Sequence, residues 1–172
     1  MPERRFLIAL LGCLALMASP ALQAKESLVG AWPAAQATPP LKLQDIDGKV
    51  WHLAELRGKV VIVNFWATWC ESCVEELGFL SELAQAERDR LVILGVNFKE
   101  SAASIRRFPA TNALTYPILL DRDGENFKKW GGSVLPTTVL IDRRGKARWR
   151  ILGALDASNL AFRQALEQLL KQ

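Results

Sequence analysis

Seven consecutive residues, Val60-Val61-Ile62-Val63-Asn64-Phe65-Trp66, are apolar except for Asn64 and β-branched at their start. Such a run predicts a central strand buried on both faces. The period then changes. Cys73, Leu77, Leu80 and Ala84 follow at spacings of four, three and four, one stripe of a helix, with Glu75, Glu82 and Gln85 on the opposite face. Residues 91–97 are a second buried-strand run. Residues 101–108 read as a helix capped by Ser101 and stopped near Pro109. Residues 116–120 make a short strand, and residues 126–130 a helix ended by Gly131-Gly132. Residues 137–141 and 147–152 are strands joined by the hairpin loop 142–146. Asp156 or Ser158 caps a last helix to Leu170, with Phe162, Leu166 and Leu169 on one stripe. Upstream, residues 41–43 and 50–53 flank a turn at Asp47-Gly48, a β-hairpin. Strands alternating with helices predict an α/β fold.

The N-terminal 40 residues follow neither period. Arg4 and Arg5 precede an apolar run at 6–18, and small residues follow up to Ala24. These are the three parts of a secretory signal peptide, on a run too short for a comfortable membrane span. The reading favours cleavage after Ala24. Its rivals are an uncleaved anchor, tethering the protein to a membrane through residues 6–24, and lipidation at Cys13. Residues 25–40, rich in Ala and Pro, read as a linker.

Composition adds bounds. The chain has 172 residues, enough for one domain with a real core, and a net charge of +4. It has no basic block of the kind that binds nucleic acid. Of its three cysteines, Cys13 leaves with the signal. Cys70 and Cys73 remain, as a C-x-x-C in a chain bound for an oxidising compartment. As a structural staple the pair closes a four-residue loop worth only about 2 kcal/mol. As a metal site it lacks ligands, since four are usual and His52 is the one histidine. A redox-active pair with no further cofactor is the favoured reading. Cys70 lies where strand gives way to the first helical turn, among unpartnered N–H groups and the positive end of the dipole. A thiolate is stabilised there, which makes Cys70 the exposed nucleophile and Cys73, on the buried stripe, the resolving thiol.

The segment Asn64-Phe65-Trp66-Ala67-Thr68-Trp69-Cys70-Glu71-Ser72-Cys73 resembles the active-site segment of thioredoxin-fold proteins. It is most similar to the exported branch of TlpA, ResA and the DsbE/CcmG-like cytochrome c maturation thioredoxins. Residues 135–142, Leu-Pro-Thr-Thr-Val-Leu-Ile-Asp, resemble the segment carrying that fold's cis-proline. The resemblance implies a thioredoxin-like fold over 41–172. Its central mixed sheet would be flanked by helices, with an N-terminal β-hairpin and a central strand–helix insertion in the 62 residues between Cys73 and Pro136. It also implies a cis Leu135-Pro136 bond against the dithiol, leaving the Leu135 backbone free to pair with a substrate strand. Trp69 would border the same substrate groove, and Trp66 would be core. Glu76 would manage protons for the dithiol, the more so because Asn64 stands where many thioredoxins carry a titrating acid. Glu71, between the cysteines, favours the helix N-terminus but opposes a thiolate at Cys70. Ser72, Gly78 and Thr137 depart from residues common in the family, Gly78 replacing a helix-kinking proline. Residues 97–100 resemble the cytochrome c maturation subgroup. Lys146, Arg148 and Arg150 alternate on one strand face, a solvated face that blunts a sheet edge.

The resemblance implies a periplasmic thiol–disulfide oxidoreductase that reduces protein disulfides and draws electrons from a membrane thiol carrier of the DsbD or CcdA type. A narrower alternative is a dedicated apocytochrome c reductant. A different class is a non-catalytic binding or chaperone module, which would keep its activity without Cys70 and Cys73. Peroxide reduction is disfavoured, because a peroxiredoxin needs threonine three residues before its cysteine and Ala67 stands there.

Overall fold

The computed structural model describes residues 27–172; the signal-peptide reading and Cys13 lie outside them. Among the described residues, eight strands and four α-helices follow one another: β1 (Leu28–Ala31), β2 (Lys42–Gln44), β3 (Val50–His52), β4 (Val60–Trp66), α1 (Glu71–Ala86), β5 (Leu91–Phe98), α2 (Ala102–Arg107), β6 (Ile118–Asp121), α3 (Glu125–Lys129), β7 (Thr137–Ile141), β8 (Ala147–Leu152) and α4 (Leu160–Leu170). Six strands form one sheet in the order β1-β8-β7-β4-β5-β6. β4, β5 and β6 run parallel, while β7, β8 and β1 are antiparallel to their neighbours, so the sheet is mixed. The hairpin β2–β3 stands apart as a two-stranded sheet.

All seven residues of β4 are buried, as a strand covered on both faces must be. Its alternation sorts the core. Val61, Val63 and Phe65 pack on one side with Phe127 and Trp130. Val60 and Ile62 pack on the other with Leu80 of α1 and Phe162 and Leu166 of α4. Asn64 has the same parity as Val60 and Ile62, and so faces α1. The predicted stripes of α1 and α4 are buried at Cys73, Leu77, Leu80, Phe162, Leu166 and Leu169, with Ala84 partly so. α1 continues through Gly78.

Three local expectations are corrected. Residues 25–40 are not wholly a linker, because Leu28–Ala31 pairs with β8 and Trp32 is buried in the core. An edge strand needs only one partner and leaves little apolar alternation to read. β8 is therefore internal, and its Arg148 and Arg150 do not blunt a sheet edge. The cap of α4 is Asn159, whose side chain accepts from Phe162 N–H at 2.8 Å, rather than Asp156 or Ser158.

Candidate active site

The carboxyl end of β4 runs into a tight turn, closed where Cys70 N–H donates to Ala67 C=O at 3.2 Å, and α1 begins at Glu71. Cys70 is the N-cap. Its Sγ accepts from Cys73 N–H at 3.3 Å, taking one of the donors a helix start leaves without partners. Cys70 and Cys73 are joined in a disulfide. Cys73 is fully buried and Cys70 is 8% exposed. The nucleophile expected to be exposed is thus largely covered in the disulfide form, though it alone of the pair borders a groove.

That groove, of about 470 Å³, is lined by Trp69, Cys70, Glu71, Ser72, Phe98, Phe127 and residues 133–135. Trp69 is 66% exposed on its rim, and Trp66 is buried in the core. Glu71 is exposed, and Leu135 is half-buried. The Leu135-Pro136 bond is cis. β7 starts immediately after it, and pairing of Phe65 with Thr137 brings the segment beside the end of β4. The residues expected to form the site therefore converge on one edge of the sheet. His52 lies on the separate hairpin.

Glu76 is buried, one turn below Cys73 on α1. Its Oε1 accepts from Asn64 Nδ2 at 2.7 Å and its Oε2 from Leu155 N–H at 2.7 Å. Burial pushes its carboxyl up to about 8; the two hydrogen bonds pull the other way and are outweighed. Asn64 also donates to Thr138 Oγ1 at 3.0 Å, its register partner on β7. Tyr116 is nearby, its phenol raised by burial first and by the charge of Glu76 second. Gly95 leaves room for it, since a Cβ there would lie 2.8 Å from the Tyr116 ring and 3.3 Å from Trp66 Nε1.

Sequence reasoning did not find the partners of Glu76. One signal was present: an asparagine inside an otherwise apolar strand must find hydrogen bonds when buried. Leu155 contributes a backbone N–H and carries no such signal. Phe98 and Phe127, which line the groove, read only as apolar positions.

A dithiol at a helix start, on the carboxyl edge of a mixed sheet beside a cis-proline segment, defines a thioredoxin-like thiol–disulfide oxidoreductase. Residues 34–150 match the AhpC/TSA family, and the chain belongs to that family. It is 35% identical to the thiol-disulfide oxidoreductase ResA of Geobacillus thermodenitrificans (strain NG80-2) over 132 residues, 76% of this chain and 75% of the relative. The ResA of Bacillus subtilis (strain 168) is 34% identical over 121 residues, covering 70% and 68%. Among solved structures, a Chlorobium tepidum protein assigned as the thiol:disulfide interchange protein DsbE superposes with a TM-score of 0.72 at 25% identity, covering 78% and 96%. The exposed lipoprotein thioredoxin Etrx1 of Streptococcus pneumoniae strain TIGR4 gives 0.66 at 29%, covering 76% and 100%. Among the described residues, no helix is long and apolar enough to cross a membrane.

Proposed function

We propose that this protein is an exported reductase of protein disulfides in the periplasm, working through Cys70 and Cys73 without a further cofactor. The observation that carries the reading is the asymmetry of the pair: Cys70 at the N-cap beside the groove, Cys73 fully buried one turn above Glu76. In the reduced protein, the Cys70 thiolate attacks one sulfur of a substrate disulfide. That bond breaks, a mixed disulfide forms, and the other substrate sulfur leaves as a thiolate. Cys73 then loses its proton and attacks Cys70 Sγ. The second substrate thiolate leaves, and the protein is left as the disulfide. Two electrons have passed to the substrate.

Glu76, in its ionised form, is the acceptor for the Cys73 proton. Its carboxyl, held up to about 8, is close to an ordinary thiol near 8.5, so the transfer costs little in either direction. The cis Pro136 segment and Trp69 flank the incoming chain, and the Leu135 backbone pairs with it as an added strand. Glu71 sits at the rim, where its charge selects against acidic neighbours of the substrate cysteine. The resemblance of residues 64–73 to the exported, reducing branch of thioredoxin-fold proteins supports the reducing direction, and a membrane thiol carrier of the DsbD or CcdA type would restore the dithiol. The narrower role in reducing apocytochrome c rests on residues 97–100, and preferential reduction of a C-x-x-C-H peptide over unrelated disulfides would establish it.

The decisive experiment is trapping. Cys73→Ser holds substrates as mixed disulfides on Cys70, to be identified by mass spectrometry, and Cys70→Ser captures none. Equal recovery from both variants, or from neither, overturns the division of roles.

A further inference from the structure

At the end of β5 the chain bends back sharply. Lys99 has φ 61°, the one non-glycine residue with positive φ among the described residues, a conformation that costs energy and persists only where its surroundings enforce it. The bend brings Glu100 over the loop leaving β4. The Glu100 carboxylate accepts from Thr68 N–H at 2.8 Å, from the Thr68 hydroxyl at 2.5 Å and from Asn97 Nδ2 at 2.8 Å. Asn97 is fully buried and is the register partner of Trp66, so the two strand ends leave the sheet side by side. Thr68 lies inside the Ala67–Cys70 turn. One carboxylate thus holds both donors of a residue two positions from the redox sulfur.

We propose that Glu100 is a positioning residue of the dithiol: by clamping Thr68 it holds the Cys70 loop in its disulfide arrangement and favours the disulfide over the dithiol. The inference rests on the oxidoreductase reading above. Its physical basis is which sulfur can move. Reduction requires the two sulfurs to separate beyond bonding distance. Both cysteines touch the apolar cluster of Leu77 and Ile105, but Cys73 is fully buried within α1, whereas Cys70 precedes the helix and borders the groove. The displacement therefore falls on Cys70 and the loop before it, the segment that Glu100 ties down. A tie that served only to fasten β5 would stabilise both redox forms equally.

The test equilibrates the protein with reduced and oxidised glutathione and measures the dithiol fraction by alkylation and mass spectrometry. Thermal unfolding of the oxidised and reduced forms is followed in parallel. Glu100→Gln puts an amide where three donors converge, and is expected to shift the equilibrium toward the dithiol by about tenfold, the loss of charge-assisted hydrogen bonds. Thr68→Val, which loses only the hydroxyl, shifts it by about threefold, and Thr68→Ser restores the wild-type value. The double variant Glu100→Gln/Thr68→Val shifts it no further than Glu100→Gln alone, because both act through one contact. If Glu100→Gln fails to fold, Thr68→Val against Thr68→Ser decides. An equilibrium within twofold of wild type in Glu100→Gln, or in Thr68→Val where that pair decides, overturns the clamp while leaving the oxidoreductase reading intact. Equal destabilisation of both redox forms, or fully additive shifts, also overturns it. A wild-type pair that does not exchange with glutathione overturns both readings.

Discussion

On the Cys70 side, the disulfide borders an open groove edged by an exposed indole and an exposed carboxylate, Trp69 and Glu71. On the Cys73 side lies a buried polar cluster: Glu76, Asn64, Thr138 and the Leu155 N–H, with Tyr116 close by. Solvent can adjust to a charge on the first side. On the second it cannot, so any proton gained or lost must be accommodated by fixed groups. Asp121 sharpens the contrast. It is also fully buried, but it accepts from Asn126 N–H, Asn126 Nδ2 and Phe127 N–H, and so ties the end of β6 to the start of α3. Glu76 has two donors, sits within a helix, and is neutral at pH 7 with its carboxyl near 8.

Glu76→Gln breaks this contrast most severely. The unfolded chain releases the Glu76 proton near 4.5 and the folded protein near 8. Between those values the folded state holds the extra proton, so stability falls as pH rises through the window. Below it the penalty is absent, and above it the penalty is complete, on the order of a few kcal/mol. The variant removes this slope. Its amide can be housed, because Asn64 Oδ1 has no partner and turning the Asn64 side chain would present that oxygen to the new N–H group. Urea unfolding of the oxidised forms at pH 5 and pH 8.5 should therefore show similar stability at the lower pH and a more stable variant at the higher. Resolution of a preformed mixed disulfide should slow by about 10²-fold at pH 8.5, where the Glu76 carboxyl is ionised, the usual worth of a placed proton acceptor, and by less at pH 7. Unchanged resolution with the stability slope removed would make Glu76 a buried acid with no part in exchange.

Asn64→Leu tests the support beneath it. The substitution leaves Glu76 Oε1 and Thr138 Oγ1 without their donor in a buried site. It is expected to destabilise the oxidised protein by about 2 kcal/mol and to move the pH window of Glu76 upward, since a donor that stabilises the carboxylate is gone. Urea unfolding across pH reads both effects. A downward move of the window would show that Asn64 does not stabilise the charged form.

How much of this was legible in the sequence follows the same division between local pattern and long-range contact. β4, the α1 stripe and the C-x-x-C at the strand–helix junction were legible because period and adjacency report them directly. The sheet partner of residues 28–31 was not, because an edge strand pairs through backbone groups that carry no side-chain pattern. The cis-proline segment could be placed beside the cysteines only by resemblance, since 62 residues separate Cys73 from Pro136. Glu76 was singled out by resemblance, but its hydrogen-bond partners, Asn64 and the Leu155 N–H, come from other parts of the chain. Glu100 was visible within a four-residue resemblance, and its hold on Thr68 became readable only when β4 and β5 were set side by side in register.

Trp69 sharpens the comparison from the groove side, with the smallest expected effect. Its side chain is 66% exposed, so truncation removes little packing from the folded protein. Trp69→Ala should change stability by less than about 0.5 kcal/mol, as an exposed substitution usually does. The indole lines the groove with Cys70 and the segment from Ser133 to Leu135. A substrate chain seated there would bury it, and aromatic anchors of this kind contribute more to binding than their neighbours. KM for a disulfide peptide should rise by about three- to tenfold, at a cost of about 1 kcal/mol, with kcat little changed because the dithiol and Glu76 are untouched. Steady-state kinetics on the variant separates the two parameters. A fall in kcat at constant KM would place Trp69 in the chemistry at Cys70 rather than in the wall of the groove.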